Sequence, residues 1–204
     1  MHKNWISLQN RHFSFVLLIV SVSLIGFGCQ RPVSPTNNSV EIDRQEILSE
    51  ARKSGLIMDE TEILLMTEGS ALQPTSGSNP SDISDDLSRE TAKWQSAALA
   101  DVTGGSSFGL AFSKWESGNF TLIAKVGNLP VVSEGEQYVG WFVKRGEPLR
   151  VMNVGSVVPA GDQFAIVFTS QTDLSDYDFF VLTREQQDDN PQPSREHILE
   201  GSFR

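Results

Sequence analysis

The sequence predicts a mainly β fold: an antiparallel β-sandwich of the immunoglobulin-like kind, with about seven strands, preceded by short helices and a linker. Three observations point there. From Val102 onward the apolar residues alternate instead of recurring at helical spacing. Turn signals cut that stretch into short runs at roughly regular intervals. The chain also carries 16 Gly and 9 Pro beside 12 Phe and 4 Trp, the balance of a turn-rich domain with a bulky core. A length of 204 residues suits one domain with appendages, and 39% hydrophobic content excludes a wholly disordered or collagen-like chain.

Residues 1–28 stand apart. Lys3 and Arg11 precede an apolar run, Phe13 to Gly28, with no acid anywhere before Cys29. A positive start, an apolar run and small residues before a cut describe a secretory signal. The run spans 16 residues, short for a helix crossing hydrocarbon, which takes about 20. Its end, Leu24-Ile25-Gly26-Phe27-Gly28-Cys29, resembles a bacterial lipoprotein signal. Phe27 is bulkier than that pattern prefers, while Gly28 fits the position before the cut. The resemblance implies that Cys29, the only cysteine, becomes the mature N-terminus and carries the lipid. An acyl chain contributes about 0.8 kcal/mol per buried CH2, and more than one chain makes attachment stable. The expected partner is therefore a bilayer, reached through acylated Cys29 on the extracytoplasmic side.

Loss of Lys3 and Arg11 leaves 14 of the 16 basic residues against all 26 acids, a net charge of −12. Such a chain lacks the basic footprint of a nucleic-acid binder.

Residues 29–40 are polar and contain Pro32 and Pro35, a flexible tether. Residues 41–67 form a short helical segment. Val40, Ile47, Leu48 and Ala51 fall at helical spacing, acids precede bases, and Gly55 sits where a helix ends. The piece Glu62 to Thr67 fits either a strand or a second helical turn. Residues 68–83, rich in Gly, Ser, Pro and Asn, are read as a linker. Residues 84–101 are expected to be a helix capped by Ser84, with Leu87, Trp94 and Ala98 on one face. Residues 102–204 are the β-domain. Its expected strands are Phe108–Trp115, Asn119–Val126, Gln137–Lys144, Leu149–Val154, Gln163–Thr169, Tyr177–Thr183 and His197–Phe203. The sixth is apolar on both faces, which suits a central strand.

One segment carries a family likeness. Leu129-Pro130, Gly135, Tyr138, Trp141 and Gly146 occur in the order found in the extracytoplasmic domain of anti-sigma-K factors of the RskA type. Val181-Leu182-Thr183-Arg184-Glu185, then Pro191 and Pro193, then Ile198-Leu199-Glu200-Gly201 resemble that domain's last strands. The likeness covers residues 103–203 and implies a sandwich module displayed outside the membrane that binds or senses something there. Complete members also hold a sigma factor with a cytoplasmic domain. Only about a dozen residues precede the apolar run here, so sequestration of a sigma factor is not expected of this chain.

Candidate ligand or partner contacts are Tyr138, Trp141, Asp188, Asp189 and Asn190, for an envelope protein or glycan. Tyr138 and Trp141 are three apart and so face opposite sides of one strand, one into the core and the other over an edge or loop. Core or turn roles account for every one of these residues and are the favoured reading. Catalysis is poorly supplied. His197 is the only histidine after Cys29, and no Gly-x-Ser-x-Gly elbow is present. One histidine without a free thiol does not make a zinc site. Asp173, Asp176 and Asp178, and the run Asp188-Asp189-Asn190, offer hard oxygens without the spacing of a calcium loop. No cofactor and no enzymatic activity are expected. A structural envelope protein without a ligand and a carboxylate-based hydrolase are the alternatives.

Overall fold

Among the described residues nine strands carry the architecture, and their sequence alternation decides which side chains they bury. The computed structural model describes residues 43–69, 71–72, 83–188 and 190–204; the signal, Cys29 and the tether lie outside them. Everything described belongs to one compact unit, Glu41–Arg204.

The strands are β1 Gln95–Asp101, β2 Phe108–Glu116, β3 Asn119–Gly127, β4 Glu136–Lys144, β5 Arg150–Ser156, β6 Val158–Ala160, β7 Gln163–Ser170, β8 Phe179–Gln186 and β9 His197–Ser202. They pair antiparallel in the order β5-β4-β8-β9-β1-β2-β3-β7-β6. This is one continuous sheet that curls until β5 approaches β7, a nearly closed, barrel-like arrangement consistent with the expected antiparallel β-sandwich. The inner face is a single core. Phe120, Leu122, Ala124 and Val126 of β3 enter it at every second position, opposite Tyr138 and Phe142 of β4 and Phe180 and Leu182 of β8. The Phe142 ring stacks on Phe120 at 5.6 Å and on Tyr177 at 5.3 Å. Ser117 and Gly118, both at positive φ, make the two-residue turn between β2 and β3.

The expected helix over 84–101 is corrected. Helix α3 spans only Ile83–Leu87, and Ser84 lies inside it instead of capping it. The stretch Ser96-Ala97-Ala98-Leu99-Ala100 belongs to β1. Ala and Leu favour helices, but only by tenths of a kcal/mol per residue. Six residue pairs with β2 and the burial of Ala97 and Leu99 outweigh that preference. Ala98 is exposed, while Leu87 and Trp94 pack with Ile83 over Ile123 and Val167. The second strand beyond the expected seven is β6, where a turn was read from Pro159-Ala160-Gly161. Only Gly161 and Asp162 turn, and Pro159 fits because β6 is an edge.

Two helices precede α3: α1 Arg44–Lys53 and α2 Glu60–Glu68. Asp43 caps α1 through Gln45 and Glu46 N–H, and Asp59 and Glu62 form a reciprocal capping box on α2. Glu62–Thr67 is therefore helical. Helix α2, with Met58 before it and Leu72 after it, makes a strap over the outer face of β4, β5 and β8, while Arg44 of α1 donates to Gly104 O at 2.9 Å beyond the end of β1. Met58 and Met66 pack there on Val139, Trp141, Val143, Val151, Phe179 and Val181. This explains why β8 is apolar on both faces. It lies between β4 and β9, with one face toward the barrel core and the other beneath the strap.

Polar bonds fix the strap. Arg145 Nε and Nη2 donate to the two Glu62 oxygens, each at 2.6 Å, and Nη1 donates to Gly55 O at 2.7 Å. The guanidinium also lies 4.7 Å over the Phe179 ring. Met58 N donates to Glu200 Oε2 at 2.6 Å. Leu72 adds a parallel bridge to the free edge of β5, donating to Val151 O at 2.8 Å and accepting from Asn153 N at 3.1 Å.

Candidate functional site

Beside the strap, the same outer face opens into a polar cleft of about 280 Å³. Its floor is Val139 and Trp141 of β4. Gln137 follows on the same face because the three alternate along the strand. Cross-strand register brings β8 alongside, pairing Gln137 with Glu185, Val139 with Thr183 and Trp141 with Val181. On the other side the β4–β5 register shifts after Gly140, so Trp141 pairs with Asn153 and Val154 is skipped. The bulge places Asn153 at the cleft, where Gly155 N donates to its Oδ1 at 2.8 Å.

The third wall is formed by Gln186 at the end of β8 and by Asp188, Asn190 and Pro191 of the connection to β9. Its return is pinned by Ser194, whose N–H donates to Glu185 Oε1 at 2.8 Å and whose hydroxyl donates to Arg184 O at 2.7 Å. The Arg184 guanidinium pairs with Glu196 across the same hairpin. Within the loop, Asp188 Oδ1 accepts from Asn190 N at 2.9 Å and Asn190 Oδ1 from Gln192 N at 3.1 Å.

Trp141 is 2% exposed, so it contributes an apolar base and no open ring face for stacking. Its indole N–H donates to Thr183 Oγ1 at 2.7 Å, and the Thr183 hydroxyl donates onward to Glu185. The relay satisfies a buried indole and fixes the carboxylate at the cleft wall.

The cleft thus gathers Trp141, Asp188 and Asn190. Asp189 lies outside the described residues. Tyr138 goes elsewhere: it turns into the barrel core and donates its hydroxyl to Pro130 O at 3.0 Å. Burial raises its phenol above the ordinary range. The expectation that one of Tyr138 and Trp141 covers an edge is corrected. Both are buried, because the strap makes the outer face a second interior.

Sequence reasoning missed Gln137, Asn153 and Gln186. Gln137 was legible from its parity with Trp141, whereas Asn153 depends on a bulge that no local signal announces. Glu185 appeared only as the end of the Thr-x-Glu pattern.

The remaining acids are used separately. Asp173 accepts from Ser175 Oγ at 2.6 Å and Ser175 N at 2.9 Å, bonds that lower its pKa. Asp176 pairs with Lys144, and Asp178 accepts from Arg145 N at 3.2 Å. Among the described residues no three His, Cys, Asp or Glu side chains converge as a metal would need. His197 is buried, with Nδ1 2.6 Å from Glu200 Oε1. No known family, characterised protein or solved structure matches this chain.

Proposed function

We propose that this chain is a lipid-anchored protein of the extracytoplasmic face of a bacterial membrane, and that its β-domain binds or senses a ligand there without catalysing a reaction. The observation that carries the reading is the apolar run ending at Gly28 with the only cysteine next to it. The cleft supports the binding half. It is open, walled by polar side chains held in place by hydrogen bonds, and rigid at its base. The likeness to anti-sigma-K outer domains agrees with a sensing role. Tyr138 and Trp141, the residues that carry it, anchor β4 into the two interiors on either side of the sheet.

The test is metabolic labelling with radioactive palmitate, comparing wild type with Cys29→Ser. Label in wild type only, with membrane fractionation lost in the variant, is the expected result. Equal label in both, or an intact unacylated chain in the cytosol, overturns the anchor.

A further inference from the structure

We infer that the cleft over Trp141 takes an uncharged polyhydroxylated ligand: one sugar ring of a saccharide. This deepens the binding half of the proposed function and rests on it. The argument is an inventory of hydrogen-bonding groups that the cleft walls leave unused.

Asn153 spends its Oδ1 on Gly155 N–H, and Asn190 spends its Oδ1 on Gln192 N–H. Because a backbone N–H can only donate, both amides are oriented, and each keeps an NH2 group without a partner among the described residues. Gln186 is oriented oppositely: its Nε2 donates to Glu136 at 3.1 Å, which leaves its carbonyl oxygen unused. Glu185 takes both its bonds on Oε1 and keeps Oε2. Asp188 takes its bond on Oδ1 and keeps Oδ2. Gln137 Oε1 accepts from the Ser156 hydroxyl at 2.9 Å, which leaves its NH2 group as a third donor. Three donor groups therefore stand among three acceptors, two of them carboxylate oxygens.

That mixture discriminates between ligand classes. A metal ion or an ammonium group uses acceptors only and leaves the three amide NH2 groups unpaired. An anion uses donors only and meets Glu185 and Asp188. An apolar ligand strands all six groups, and an unpaired desolvated group costs about 1–3 kcal/mol. A hydroxyl both donates and accepts, so a ring of neighbouring hydroxyls satisfies both kinds. The volume, about 280 Å³, lies just below the ~300–1,000 Å³ of sites for drug-sized molecules and suits one ring. The exposed ring of Pro191, above a floor of buried Val139 and Trp141, offers apolar contact for a sugar's C–H groups.

The experiment titrates the full chain, purified in detergent, with neutral hexoses and N-acetylhexosamines, following the side-chain amide signals of Asn153 and Asn190 by NMR. Calcium, spermidine and inorganic phosphate form parallel arms. Glu185→Gln and Asp188→Asn keep the internal acceptor and replace the unused oxygen with a donor, so folding is preserved while the cleft is altered. The expected result is saturable binding of at least one sugar with Kd about 1 mM or tighter, weakened about tenfold (~1.4 kcal/mol) in both variants at unchanged thermal midpoint. Three results overturn the inference: no sugar moving either amide at about 10 mM, sugar binding that both variants leave intact, or one of the ions moving these amides where no sugar does. Palmitate labelling is scored separately. A labelled chain that binds no sugar sinks this inference alone, whereas an unacylated cytosolic chain sinks the location without altering the titration.

Discussion

Removing the Glu62 carboxylate tests whether the strap is an integral part of the fold. Glu62 receives two guanidinium bonds of 2.6 Å from Arg145, and the two side chains are only 20% and 19% exposed. Burial works against the Arg145 charge; the bond and attraction to Glu62 outweigh it and raise the guanidinium above its ordinary range. Glu62 also accepts from Asp59 N at 3.2 Å in the α2 capping box. A hydrogen bond to a charged partner contributes about 1.5–3 kcal/mol where shielded, and some of that is lost to the remaining solvent. A cap adds about 1 kcal/mol. Glu62→Ala is expected to destabilise the protein by about 2–4 kcal/mol, and Glu62→Gln by about half as much, since Gln still closes the capping box. Urea denaturation measures both, and a cycle with Arg145→Ala isolates the pair at about 1.5–2.5 kcal/mol. A coupling below about 0.5 kcal/mol, the value of an exposed surface pair, refutes the reasoning.

Three further outcomes follow from the packing. A Cβ at Gly140 meets Ile166 Cδ1 at 2.5 Å and Phe180 Cζ and Val154 Cγ2 at 3.1 Å, so Gly140→Ala should cost about 1–3 kcal/mol by overpacking. Adding Ile166→Val should recover part of it in thermal unfolding; no recovery contradicts the assigned clash. Glu200→Ala leaves His197 Nδ1 and Met58 N without their buried partner, and a loss of about 2–5 kcal/mol is expected from the two stranded groups. A loss under 1 kcal/mol shows that the strap does not depend on that carboxylate. Asp101 accepts from Thr103 N and Oγ1, Gly105 N and Ser107 N. Its desolvation opposes the charge, but these bonds prevail and hold its pKa below 3.8. The stabilisation is therefore complete above the unfolded value and disappears as pH falls through the folded one. Asp101→Asn should flatten the acid limb of the stability curve below about pH 4; an unchanged limb assigns the acid sensitivity elsewhere.

The β-domain was legible because alternation is a local property. Phe120, Leu122, Ala124 and Val126 must share a face whatever the rest of the chain does. The apolar run before Cys29, the capped helical segment and the turns are equally local, being set by residues within a few positions of one another. Other features were decided only in three dimensions. Ser96–Ala100 has helix-forming side chains and became β1, because pairing with β2 and burial of alternate residues exceed a small intrinsic preference. One of Tyr138 and Trp141 was expected over an edge or loop, yet both are buried, since the strap that covers Trp141 is distant in sequence. The cleft needs Gln137, Asn153, Glu185 and the loop through Asn190 at once. A strand pairing, a bulge and a pinned hairpin bring them together, and none of these is set by neighbouring residues alone. Sequence fixes which face a side chain takes along its own strand, and register between strands fixes what it meets.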